Sequence, residues 1–183
     1  ASRTFTMEDE IIRVTLEVHD GVKGFTKIEI SEFLPRTLNG EPEWIELYNP
    51  NGFAVEMIGW GLERATPGFG SSSVLFEEGT LPGGSRAILT GDENQQETGN
   101  ATWVIDMSSE GLLGFGAIEG LGDHTGRLQL THASKLSASE TMVMEVEWDQ
   151  TWNLTSGHSL TWNGGEPMEV NSWIITAETT PGD

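Results

Sequence analysis

Residues 28–60 read IEISEFLPRTLNGEPEWIELYNPNGFAVEMIGW, and the spacing of apolar residues in this stretch decides the fold class. Two alternating apolar/polar runs, Lys27 to Leu34 and Glu43 to Tyr48, flank a turn-rich insert. A third, Phe53 to Trp60, follows the turn Asn49-Pro50-Asn51-Gly52, with Val55 and Met57 on one face. Period two is what a strand requires when one face meets a core and the other meets water. The insert and the Asn-Pro-Asn-Gly segment supply the chain reversals.

The same pattern continues on both sides. Ile11 to Val18 alternates and ends at the turn signal Asp20-Gly21. Ser73 to Phe76 and Arg86 to Thr90 flank the tight turn Leu81-Pro82-Gly83-Gly84. Ala101 to Met107, Arg127 to Thr131, Thr141 to Trp148, Ser159 to Trp162 and Ser172 to Thr176 complete the series. These are about ten to eleven candidate strands, near the ~8–12-residue spacing of a sandwich or barrel. A helical period is hardly detectable, so the chain is all-β and a sandwich is expected.

The chain has 183 residues, which suits one domain with an extension: residues 1–25 as an N-terminal strand and 26–183 as the sandwich. Seven Trp and seven Phe suffice for a compact core, and 23 Gly suit short strands joined by tight turns. No run approaches the ~20 apolar residues that cross a bilayer, so no membrane insertion is expected. No signal-peptide pattern stands at Ala1, which fits a processed chain as well as a cytoplasmic one.

Charge excludes more. Asp and Glu total 29 against nine Lys and Arg, a net charge of -20. Binding nucleic acid by neutralising phosphate needs the opposite sign, so no nucleic-acid role is expected. An acidic surface keeps a protein soluble in salt, and it could recruit Ca²⁺. There are no cysteines, which removes disulfides, zinc thiolates and thiol nucleophiles together. Asn100-Ala101-Thr102 and Asn153-Leu154-Thr155 are candidate N-glycosylation acceptors at Asn100 and Asn153.

Several blocks, in order, resemble the lamin tail domain family. Ile28 to Glu32, Glu43 to Asn49 and Gly59-Trp60 resemble its opening Ile-x-Ile-Ser-Glu, Glu-Trp-Ile-Glu-Leu-Tyr-Asn and Gly-Trp elements. Leu81 to Thr90, Leu121 to Leu128, Gly157 to Leu160, Trp173 and Thr180 to Gly182 resemble later ones. The chain departs from the family at Trp162, where a basic residue is usual, and in the long glycine-rich stretch Ser108 to Gly126. The resemblance implies an immunoglobulin-like β-sandwich and a binding or attachment module. It implies a secreted or cell-surface location in a bacterium or archaeon, and a free-standing domain or one excised from a longer chain. Trp44, Leu47 and Trp60 are expected to fill the core between sheets, with Asn49 and Pro50 shaping a turn.

Catalytic chemistry is hard to find. No nucleophile elbow, phosphate loop or His-Glu-x-x-His motif occurs, and no enzymatic activity or cofactor is expected, Ca²⁺ aside. Of His19, His124, His132 and His158, only His124 and His132 could approach each other across a hairpin. Glu43 and Glu46 have opposite parity along one strand, so backbone or turn hydrogen bonding suits them better than paired acid/base work. Asp92, Glu93 and Glu97 form the best metal candidate, though without the Asp-x-Asp-x-Asp-Gly order of a strong Ca²⁺ loop. The glycine-rich tract Gly111 to Gly126 precedes no helix, so phosphate binding there is not expected. Trp148, Trp152 and Trp162 could line a sugar-stacking groove, or simply pack in the core.

Thr4 to Val18 lies outside the family blocks. Ile11, Val14, Leu16 and Val18 within it mark a candidate donor strand. It could add to its own sandwich, or to the open sheet edge of a second copy, building a filament. Three functions follow from these observations: a structural or interaction domain of an extracellular assembly, a carbohydrate- or Ca²⁺-dependent adhesion module, or an accessory domain of a secreted hydrolase. The expected partner is protein, including the chain itself.

Overall fold

A computed structural model of the chain describes residues 2–7, 10–15, 27–38, 41–92, 99–107, 112–114, 120–133, 140–177 and 179–183, the first two segments by their backbone only. The elements are β1 (Ser2–Met7), β2 (Glu10–Thr15), β3 (Glu29–Leu34), β4 (Trp44–Tyr48), β5 (Val55–Glu56), β6 (Trp60–Thr66) and β7 (Gly70–Leu75). They continue as β8 (Thr80–Leu81), β9 (Arg86–Thr90), β10 (Trp103–Asp106), β11 (Gly126–Ala133), β12 (Glu140–Trp148), β13 (Ser159–Trp162) and β14 (Trp173–Thr176). Helical structure among the described residues is confined to two single 3-10 turns, at Gln150–Trp152 and Val170–Ser172.

The strands form a six-stranded sheet, β10-β9-β4-β3-β13-β14, and a four-stranded sheet, β12-β11-β6-β7. Inward side chains of both enter one core, in which Ile30, Phe33, Ile45 and Leu47 of the large sheet meet Trp60, Leu62, Leu128, Val146 and Trp148 of the small one. The expected β-sandwich is the architecture. Phe33 ties the layers together, its ring centroid 5.2 Å from that of Trp148 and 5.1 Å, edge-on, from that of Trp173. Such aromatic contacts add to the hydrophobic gain of burying the rings.

Local detail departs from simple alternation. A register shift between Ile30 and Glu32 changes which parity points inward along β3. Ile28, Ile30 and Phe33 therefore all reach the core, while Leu34 packs on the other face of the sheet with Trp44 and Ile88. Trp44 is buried but is not between the sheets, because Ile45 and Leu47 take the inward positions and period two sends Trp44 the other way. Trp60 and Leu47 do fill the core. The run Phe53 to Trp60 is not one strand: only Val55 and Glu56 pair, with Leu81 and Thr80, and Trp60 opens β6. The N-terminal segment is a hairpin rather than one strand, with β1 antiparallel to β2 from Ser2↔Thr15 to Met7↔Glu10. Ile11 and Val14 belong to β2, whereas Leu16 and Val18 lie outside the described residues.

Asn49 organises the turn that follows β4. It is fully buried and donates from Nδ2 to the carbonyls of Phe53, Leu81 and Pro82, while its Oδ1 accepts from the Asn51 backbone N–H and Nδ2. Asn49→Ala leaves several buried carbonyls without a donor. A loss of ~2–3 kcal/mol is expected in urea unfolding, against near-neutrality if the turn holds itself.

Candidate functional site

Three acidic residues that alternation would leave half exposed are buried: Glu32, Glu43 and Glu46 are 2%, 4% and 2% exposed. Each accepts hydrogen bonds from a segment distant in sequence, Glu43 at one site and Glu32 with Glu46 at another.

Glu43 stands just before β4. Its Oε2 accepts from the backbone N–H of Gly114 at 2.6 Å and of Leu121 at 2.9 Å. The main chain reinforces this, with Glu43 N donating to Gly114 O and Gly91 N donating to Glu43 O. Gly114 and Leu121 of the glycine-rich stretch thus hold a carboxylate of their own chain. A side chain at Gly120 would collide with the Gly114 backbone and with the Glu43 carboxylate, so close approach demands glycine there. Burial raises the Glu43 pKa from 4.5 to about 7, against the lowering effect of the backbone N–H groups.

Glu32 and Glu46 face each other directly across β3 and β4, on the outer face of the large sheet. Glu32 accepts from Thr180 N at 3.2 Å and Thr180 Oγ1 at 2.8 Å. Glu46 Oε2 accepts from Gly182 N at 2.6 Å, while its Oε1 accepts from Ser31 Oγ and from Arg86 Nε, the latter at 3.1 Å. The pair clamps the turn Thr180–Asp183 onto the sheet, and Asn100 holds the far side by donating to Gly182 O and Asp183 Oδ1. Burial raises the Glu46 pKa, with Ser31, Gly182 and Arg86 opposing it.

Beside this clamp opens a cavity of about 400 Å³ lined by Lys27, Glu29, Glu32, Glu46, Tyr48, Arg86, Trp162 and Asp183 among others. Its two aromatic walls each carry a cation of the chain itself: Lys27 Nζ lies 5.1 Å from the Trp162 ring centroid, and Arg86 Cζ 4.9 Å from that of Tyr48. Lys27 also pairs with Glu29. The Trp162 indole is held by its N–H, which donates to Gly165 O at 3.0 Å. The arrangement can bind, and it can hold a charge on an aromatic face. Ser31 also lines it, its hydroxyl donating to Glu46 Oε1.

Other sequence candidates are dispersed. Trp148 and Trp152 are buried in the core and Trp162 belongs to the cavity, so the three form no groove. His132 lies against Trp60 near one end of β11, the ring centroids 4.8 Å apart and tilted, and His124 is exposed before its other end, so the strand holds them apart. Asp92 is half-buried, with its backbone N–H donating to Thr90 Oγ1, and Glu93 and Glu97 lie outside the described residues. Among the described residues no three His, Cys, Asp or Glu side chains converge as a metal would need. Asn100 and Asn153 are both exposed, Asn153 in the left-handed conformation with φ 52°. No helix among the described residues is long and apolar enough to cross a membrane.

Arg86 and the Thr180–Asp183 turn escaped sequence reading as site residues. The available signal was their place in family-like blocks, Leu81 to Thr90 and Thr180 to Gly182. In comparisons with known proteins, no family model and no curated protein matches this chain.

Proposed function

We propose that this protein is a non-catalytic structural and interaction domain of the lamin-tail type, acting outside the cell or at its surface and joined to further copies through its N-terminal strands. The observation that carries this reading is the pairing of β1 and β2 with each other alone: among the described residues, no ladder joins them to either large sheet. A two-stranded sheet is marginally stable by itself in water, so it gains by adding to another edge.

A suitable acceptor edge exists. Among the described residues β7 ends the small sheet and pairs only with β6, and it reads GSSSVL with no charge and no proline. Natural edges are usually guarded by those very features, and this one also exposes Leu75. At six residues β7 matches β1 and β2 in length. The buried opening block, with Ile28, Ile30, Ile45, Leu47 and Trp60 in the core, supports the scaffold role that the family resemblance implies. The buried carboxylates support it too: Glu43 binds backbone N–H groups of a distant segment, and Glu32 and Glu46 fasten the Thr180–Asp183 turn onto the sheet.

Light scattering tests the assembly. The full chain is expected to give multiples of the 20.0 kDa mass, and a variant lacking residues 1–20 the single mass. Ser73→Lys, which charges the β7 edge, is expected to act in the same direction. A molar mass unaffected by the deletion refutes strand addition.

A further inference from the structure

The cavity beside the carboxylate clamp is a formed pocket whose occupant is supplied by the chain. Lys27 lays its ammonium on the Trp162 ring and pairs with Glu29, yet its side chain is 55% exposed, whereas that of Glu29 is 12% exposed. The cation is therefore the solvent-exposed member of the pair, while the carboxylate lies largely covered. Trp162 is held by its N–H bond to Gly165, and β3 carries Glu29 at the cavity. The lining also carries Glu32, Glu46 and Asp183, so four carboxylates face two cations, Lys27 and Arg86. Arg86 is committed to Glu46 and to the Tyr48 ring. A cation gains on an aromatic face, and gains more where neighbouring carboxylates complete its surroundings. Charge on the whole chain, at -20, steers positively charged partners toward it.

We propose that this cavity is a recognition site for an alkylammonium group, the side chain of a lysine on a partner protein, which takes the Trp162 face by displacing Lys27. The site is separate from the N-terminal strands and does not depend on strand addition. Lys27 competes with the incoming group and thereby sets a threshold for binding. A partner that brings additional contacts, or a high local concentration, displaces it more readily than an isolated lysine does.

A capped Gly-Lys-Gly peptide is the probe, with capped Gly-norleucine-Gly as the uncharged control. The Trp162 indole N–H resonance is the readout. Saturable shifts are expected for the lysine peptide alone, with affinity falling as salt is raised. Lys27→Met is expected to tighten binding roughly fivefold, the size expected from removing a competing exposed cation–π and ion-pair contact. Glu29→Gln is expected to weaken it in the Lys27→Met background, and Trp162→Leu to abolish the lysine preference. Should Trp162→Leu perturb the fold, the Glu29→Gln comparison still decides. Equal response to both peptides, no saturable response from Lys27→Met, or affinity indifferent to Glu29→Gln would each overturn the proposal. Repeating the titration on the chain lacking residues 1–20 separates this result from the assembly state.

Discussion

Trp148→Ala is expected to destabilise the protein by ~4 kcal/mol, the cost typical of truncating a large buried aromatic residue. Trp148 is fully buried at the end of β12 and contacts Phe33 across the sandwich. Its removal therefore opens a cavity at the point where the sheets are tied together. The indole N–H donates to Gly122 O at 3.0 Å, so the substitution also strands a buried carbonyl. Collapse into the space is restricted on one side by Gly126, which pairs directly with Trp148 and is so close to the ring that no Cβ fits between them. Trp148→Phe keeps most of the apolar contact and should recover more than half of the loss. Urea unfolding with an unchanged slope measures both. A midpoint shift for the alanine variant equivalent to less than ~1 kcal/mol would show that the core closes over the gap.

Stability should rise on acidification from pH 8 to pH 5, and Glu43 should be the main cause. Its carboxyl is pushed from 4.5 to about 7 by burial. A group whose folded pKa is raised stabilises fully below the unfolded value and loses that contribution as pH climbs through the folded value. The window is thus pH 4.5 to about 7. At ~1.4 kcal/mol for each pH unit, the full effect is ~3 kcal/mol. Glu46, also raised by burial, adds in the same direction. Because many other carboxylates titrate in an acidic chain, the clean measurement is the stability difference between the protein and Glu43→Gln across pH. The amide can still accept from Gly114 and Leu121 but cannot ionise. The difference should move against the carboxylate by ~3 kcal/mol between pH 4.5 and 8. A difference that stays flat would mean that the two N–H donors offset desolvation entirely.

Strand content and sandwich architecture were legible because apolar residues recur at every second position, as Ile45 and Leu47 do around Glu46 and Val55 and Met57 around Glu56. β6 was not. Gly61 to Thr66 contains one large apolar residue, Leu62, and its inward Arg64 is satisfied in place, partly by the Gly70 carbonyl. The parallel pairing of β10 with β9 was equally hidden, since both strands have ordinary patterns and only a long connection hints at a parallel neighbour. Nor could alternation foresee the Ile30/Glu32 register shift, which places Phe33 in the core.

Local sequence by itself determined the period-two pattern, the turns, the absence of thiol chemistry and the acidic balance, because each depends on neighbouring residues or on composition. Only the tertiary structure decided the fate of the buried carboxylates. Glu32 and Glu46 would face water on an open sheet; they become a clamp because Thr180 and Gly182, 148 and 136 residues away, return to cover them. Glu43 is likewise desolvated by Gly114 and Leu121 from a distant loop. A carboxylate's charge state and role follow from what excludes water from it and which N–H groups replace that water. Those partners are chosen by the packing of the whole chain, so the cavity with Lys27 on the Trp162 ring exists only in the folded protein.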